Sequence, residues 1–190
     1  MPTAYLIRRS SANVSDGLEW SALHFGAVRV HTNLNAGAPR NEIYTRGKLM
    51  QRKGSAVWTG GLKDGKGTIS TASGVLKDTQ YSFATRFENG VGTNPEELIG
   101  AAHAGCFSMA FSAALEKNGF KADRVATEAA VSLEKVGDGF SITAVHLTMT
   151  GKVPGISEEK FQEVAAAAKA GCPVSKVLNA KITLDAKLES

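Results

Sequence analysis

Cysteine is nearly absent: Cys106 and Cys172 are the only two in 190 residues, and they stand far apart with no framework spacing. That excludes a disulfide scaffold and points to a reducing compartment, the cytoplasm. The opening stretch MPTAYLIRRSS lacks the apolar segment of about 7 to 15 residues that a secretory signal carries. A bilayer-spanning run is missing as well. The longest mostly apolar stretch, Ala101 to Leu115, is interrupted by His103 and falls short of the ~20 residues a membrane span needs, so no transmembrane helix is expected. There is no internal repeat, no low-complexity tract, and neither a CxxC nor an HExxH pattern, which leaves little support for a zinc site.

What is present fits one domain with an extension. A chain of this length with 43% hydrophobic residues can bury a real core, and is short for two ordinary domains. The formal charge of +4 is unevenly placed. Residues 1–53 hold eight basic side chains against three acidic ones, whereas the remaining 137 hold 14 and 15. The body is therefore close to neutral and carries no electrostatic footprint for nucleic acid. Residues 1–47 show scattered apolar groups without a sustained period, a Ser15-Asp16 pair suited to capping a short helix, and an Asn, Gly and Pro rich loop from Asn33 to Arg40. They read as a basic N-terminal extension, either a frayed tail or an arm that packs Trp20 and Phe25 on a partner subunit.

From Gly54 the pattern changes to short alternating segments. Ala56 and Trp58 alternate with their neighbours ahead of the turn-like LKDGKGT, which predicts a hairpin. Tyr81, Phe83, Thr85 and Phe87 alternate likewise, predicting a strand with Arg86 on the face away from the rings. Asn94, Pro95 and Glu97 form the expected N-cap, first residue and capping-box partner of a long helix, closed by Lys117, Asn118 and Gly119. Apolar and small residues occupy almost every side of it, so it is expected to be buried, with Gly100 to Gly105 admitting another backbone. Two strands, Val125 to Val136 and Phe140 to Gly151, are joined by Gly137-Asp138-Gly139. Ser157 caps a further helix to Gly171, Cys172-Pro173 opens a short one, and Ile182 to Leu188 alternate as a last strand. Strands and helices in runs define an α+β class with mostly antiparallel pairing.

Chemistry can reside in few places. Cys106 in a helix of small residues reads locally as packing, whereas Cys172 at a helix N-cap faces unpaired amides that favour its thiolate. Local sequence therefore marks Cys172 as the lower-pKa thiol. Glu97 is accounted for by the cap, while Glu96 is free for another role. Ten residues of straight helix put Glu96 about 15 Å from Cys106, so a site using both needs a kink near Gly100 or a second subunit. Arg86 offers a planar fork of donors for a carboxylate, a thiolate or a peroxide oxygen. His103, one turn before Cys106, reads as a hydrogen-bonded core residue; with His146 and the two cysteines it could alternatively hold zinc.

The segments GTNPEELIGAAHAGCFSMAF (from Gly92) and KAGCPVSKVLNAKITLD (from Lys169) resemble the OsmC/Ohr family of thiol peroxidases, close to its OsmC branch. KGSAVWTGGLKDGKGTISTASGVL, TRFENG and VSLEKVGDGFSIT add to the resemblance, which covers about residues 50–190. It implies an OsmC-like domain over 48–190, built as an intertwined homodimer of two sheets wrapped around central helices. It implies Cys106 as peroxidatic cysteine, Cys172 as resolving cysteine, Arg86 as the arginine activating the thiolate, and Glu96 as the carboxylate positioning it. The order of the thiols is thus the reverse of the local reading. The resemblance implies a hydroperoxide substrate, a lipoyl-type or small dithiol reductant, and neither a bound cofactor nor a metal. Organic hydroperoxides are expected to be preferred to hydrogen peroxide, with Phe107, Met109 and Phe111 shaping a greasy entrance. No nucleic acid and no membrane are expected as partners. Residues 1–47 have no counterpart in a typical member.

Overall fold

The computed structural model describes residues 50–189. The N-terminal extension, with its expected Ser15 cap and the Trp20 and Phe25 contacts, lies outside the described residues. Three strands come first: β1 (Gly54–Thr59), β2 (Lys66–Thr71) and β3 (Thr79–Ser82), all antiparallel in the order β1-β2-β3. Two helices follow, α1 (Phe83–Phe87) and α2 (Pro95–Lys117). The second sheet combines β4 (Arg124–Val136) and β5 (Gly139–Lys152), an antiparallel hairpin turned at Gly137 with φ +61°, and β6 (Lys181–Glu189), which pairs parallel to β5. The crossover from β5 to β6 carries α3 (Glu158–Gly171) and α4 (Pro173–Val177). The α+β class, with one parallel pair among antiparallel ones, is as expected.

The core lies between α2, α3 and the second sheet. Phe107, Phe111 and Leu115 of α2 meet Leu147 and Met149 of β5 and Phe161 and Val164 of α3, all buried. Phe111 packs edge-on against Phe161 with ring centroids 5.3 Å apart. Each such side chain contributes about 1.5–3 kcal/mol through burial. By length and composition α2 is apolar enough to cross a membrane, yet this face is part of the core. A Cβ on Gly100 would meet the Ala129 carbonyl at 2.8 Å, which is how closely α2 lies on β4.

Two expectations need correction. The predicted strand from Tyr81 to Phe87 ends at Ser82, and Phe83 to Phe87 form α1. Ser82 and Thr85 are the cause: the Ser82 hydroxyl accepts from the Thr85 amide at 3.2 Å, and the Thr85 hydroxyl accepts from the Ser82 amide at 2.9 Å. That capping box turns the chain into a helix before the aromatic alternation can extend. Secondly, α2 is not buried all round. Ala102, Gly105, Met109 and Ala113 form an open stripe opposite the core side, and Met109 is 77% exposed.

Candidate active site

α2 is one unbroken helix, so its residues form a ruler. Glu96 stands in its first turn and Cys106 ten residues on, about 15 Å away along the axis. The site residues gather at these two places.

At the N-terminal end, Asn94 caps α2 by accepting from the Glu97 amide at 2.8 Å, while its side-chain NH2 donates to the Thr85 carbonyl at 3.1 Å. One side chain thus ties α1 to the start of α2. The Glu97 carboxylate does not close the expected capping box; it accepts from the Thr93 hydroxyl at 3.2 Å. Across this joint Arg86 of α1 grips Glu96 with its fork, Nε at 3.1 and 3.2 Å from the two carboxylate oxygens and Nη2 at 2.7 Å from Oε1. Two-toothed pairing fixes the guanidinium plane as well as its position. Contrary to the strand-based expectation, Arg86 does not turn away from the rings: its Cζ lies 5.4 Å from the Phe87 centroid. Trp58, Leu62, Tyr81, Phe83 and Phe87 line a cavity of about 300 Å³ beside it.

In the middle of α2, the sulfurs of Cys106 and Cys172 lie 3.2 Å apart, both as free thiols. Cys172 ends α3 and caps α4, so two helices fix its backbone: its amide donates to the Ala168 carbonyl at 2.8 Å and its carbonyl accepts from the Lys176 amide at 3.1 Å. Burial pushes the Cys172 thiol up, but the Ser175 amide, the Cys106 thiol, the Ser175 hydroxyl and the Val174 amide outweigh it and bring the pKa below its ordinary value. Burial pushes Cys106 up and the neighbouring Cys172 adds to it, against a lowering contribution from the Val174 amide. Of the two sulfurs, then, Cys172 is the one whose pKa is lowered, in line with its helix-cap position. Access has the opposite order, since Cys172 is wholly buried and Cys106 partly exposed.

The sequence-derived residues are thus brought together in two pairs, Arg86 with Glu96 and Cys106 with Cys172. Among the described residues the guanidinium hydrogen-bonds only Glu96 and contributes to neither sulfur's pKa. Phe107 and Phe111, expected at an entrance, are core residues with no exposure. The aromatic lining beside Arg86 comes instead from the first sheet and α1, whose alternation had been assigned to a strand core. Ser175, which sequence reasoning missed, touches the site through α4; its place three residues after an N-cap was the available signal. His146 hydrogen-bonds Thr183 at 2.7 Å on the second sheet, and among the described residues no group of three or more His, Cys, Asp or Glu could hold a metal.

Two three-stranded sheets, the second packed on a long helix that carries one of a pair of touching thiols, define an OsmC/Ohr-type fold. The protein-family model for OsmC-like protein matches residues 87–187. Peroxiredoxin OsmC of Escherichia coli is 55% identical over 141 residues, covering 74% of this chain and 99% of the relative. The crystal structure of the organic hydroperoxide resistance protein OhrB of Bacillus subtilis is similar with a TM-score of 0.56 and 30% identity, covering 73% and 99% of the two chains. An OsmC-like protein of Mycoplasma pneumoniae shares the fold at TM-score 0.59 and 16% identity, covering 75% and 99%. The chain belongs to the OsmC family.

Proposed function

We propose that this enzyme, a peroxiredoxin of the OsmC type, reduces organic hydroperoxides, and hydrogen peroxide less well, with Cys106 as the attacking thiol. The Cys106 thiolate attacks the distal oxygen of the hydroperoxide. The O–O bond breaks, the alkoxide leaves as an alcohol on taking up a proton, and Cys106 is left as a sulfenic acid. The Cys172 thiolate then attacks that sulfur, the S–O bond breaks, and hydroxide leaves as water on protonation, which gives a disulfide. An external dithiol, lipoyl-type or small, reduces the disulfide and is itself oxidised.

The observation that carries this reading is the sulfur contact of 3.2 Å, which needs only about 1 Å of closure to reach the S–S bond length. Exposure supports this order of roles, since peroxide must reach the first sulfur and, of the two, only Cys106 is partly open. A low-pKa Cys172 suits the second step, as a thiolate nucleophile and later a good leaving group.

Cys106 needs a cation to ionise against its own burial, and Arg86 of the same chain is held by Glu96 in the first turn of α2, ten residues before Cys106. We infer a homodimer in which the Arg86–Glu96 pair of one subunit completes the thiol pair of the other. The open Ala102, Gly105, Met109 and Ala113 stripe of α2 and β1, each of whose residues is exposed, are the surfaces a second copy would cover. In this proposal residues 48–190 form the peroxidase domain, residues 1–47 are an appended segment, and the enzyme acts in the cytoplasm against oxidative and osmotic stress. The experiment is turnover of cumene hydroperoxide with a dithiol: wild type consumes it, Cys106→Ser does not. A Cys106→Ser protein with near wild-type turnover contradicts the assignment.

A further inference from the structure

Weak anchoring of α4 bears directly on the second thiol. The helix is five residues long, too short to hold itself, and none of its residues is fully buried. Pro173, Lys176 and Val177 are exposed, and Val174 is only partly buried against the core. Cys172 caps α4 without a side-chain hydrogen bond and joins it through its carbonyl, which accepts from the Lys176 amide at 3.1 Å. A tilt of α4 about its junction with α3 therefore turns the Cys172 backbone and moves the sulfur.

The side chain that ties α4 down is His103 of α2. It has no exposed surface, and its Nε2 lies 2.8 Å from the Ser175 hydroxyl oxygen, a hydrogen bond whichever of the two donates. Among the described residues it is the one side-chain hydrogen bond between α4 and another element. His103 and Cys106 are three residues apart on one face of α2, and Cys172 and Ser175 are three apart at the start of α4. The two helices thus meet at two points one turn apart, sulfur on sulfur at 3.2 Å and imidazole on hydroxyl. One contact would leave α4 free to pivot, and two fix its tilt. Packing alone does not explain a histidine here: its Nδ1 is buried and, among the described residues, has no hydrogen-bond partner. An unpaired buried polar atom destabilises, and an apolar side chain would avoid it.

We propose that His103 is a positioning residue for disulfide closure: its hydrogen bond to Ser175 clamps α4 onto α2 and keeps the Cys172 sulfur within reach of Cys106. The clamp deepens the peroxidase reading, on which its use in the second step rests. Its contribution is an effective concentration of one thiol toward the other, which any oxidant of the pair reads out. With oxidised dithiothreitol the two thiols give up two electrons and two protons, the S–S bond forms, and the reagent's own disulfide is reduced to a dithiol.

The test is that thiol–disulfide equilibrium in the full chain, read by alkylating the free thiols and weighing the protein. His103→Leu and Ser175→Ala are each expected to lower the effective concentration about fivefold, the effect of one net hydrogen bond. The double variant is expected to match either single one, and His103→Gln, which keeps a donor in reach, to recover most of the loss. Urea melts of the reduced proteins separate a clamp from a general structural role, since the unpaired Nδ1 leaves with the ring and His103→Leu is expected to lose effective concentration without a matching loss of stability. An equilibrium unmoved by His103→Leu, losses that multiply in the double variant, or an effective concentration that falls only in step with stability would overturn the proposal. If His103→Leu does not fold, Ser175→Ala decides: a fivefold loss supports the clamp and an unmoved equilibrium overturns it. No peroxide enters this measurement, so a protein without peroxide turnover that keeps the His103-dependent equilibrium would refute the peroxidase reading and leave the clamp standing.

Discussion

At the scale of single residues the two sulfurs differ in what their surroundings do to them. The Ser175 and Val174 amides, the Cys106 thiol and the Ser175 hydroxyl lower the Cys172 pKa, whereas Cys106 gains mainly burial, which opposes ionisation. In the proposed mechanism, attack by Cys106 therefore depends on a guanidinium. Replacing Arg86 with Leu is expected to move the pH midpoint of the first oxidation step upward, because the Cys106 pKa returns to its burial-raised value. At pH 7 the rate of sulfenic acid formation should fall on the order of 10²-fold, the middle of the range a close opposite charge supplies. Stopped-flow oxidation across pH checks this; an unchanged midpoint would mean that Arg86 does not act on the sulfur. Cys172→Ser is expected to leave the first step intact and to accumulate sulfenic acid, seen as a dimedone adduct on Cys106 by mass spectrometry. No adduct after peroxide treatment would remove Cys172 from the resolving role.

At the scale of elements the joint between α1 and α2 positions the cation. Asn94 caps one helix and holds the last turn of the other, so Asn94→Ala should cost about 1 kcal/mol of stability as a lost cap. It should also lower turnover more than that destabilisation accounts for, since the Arg86 to Glu96 geometry depends on the same joint. Urea melts beside peroxide kinetics separate the two effects, and equal loss in both would make Asn94 merely structural. Elements were legible where local chemistry alone decides them. The Asn94-Pro95 start of α2, the Gly137 turn and the Ser157 cap act within a few residues, and all three appear as read. The α1 segment was misread because aromatic alternation is a packing signal, and it yielded to the Ser82 and Thr85 capping box, which is a local hydrogen-bond signal. The burial of α2 was overstated for a related reason: its composition shows that both sides are apolar but not which side its own chain covers.

At the scale of the whole molecule the chain carries the Arg86–Glu96 pair and the thiol pair at two places on one helix. The distance between Glu96 and Cys106 was readable from helix rise alone, and the unbroken helix leaves no kink to shorten it. The contact between the sulfurs was not readable from local pattern, because it depends on α3 and α4 crossing back over α2 between β5 and β6. The exposed stripe of small residues on α2 permits close helix approach, and Met109→Asp there should weaken self-association and turnover together, as measured by sedimentation and peroxide consumption. A variant that becomes monomeric with full activity would show that one subunit suffices.

The most direct test mixes two inactive proteins, Cys106→Ser and Arg86→Leu, under conditions that let subunits exchange. If the guanidinium of one subunit serves the sulfur of the other, each mixed dimer regains one intact site, and the mixture recovers up to about a quarter of wild-type turnover. If the mixture stays as inactive as its components although mixed dimers have formed, the site lies within a single subunit and the account of how Cys106 becomes ionised is wrong.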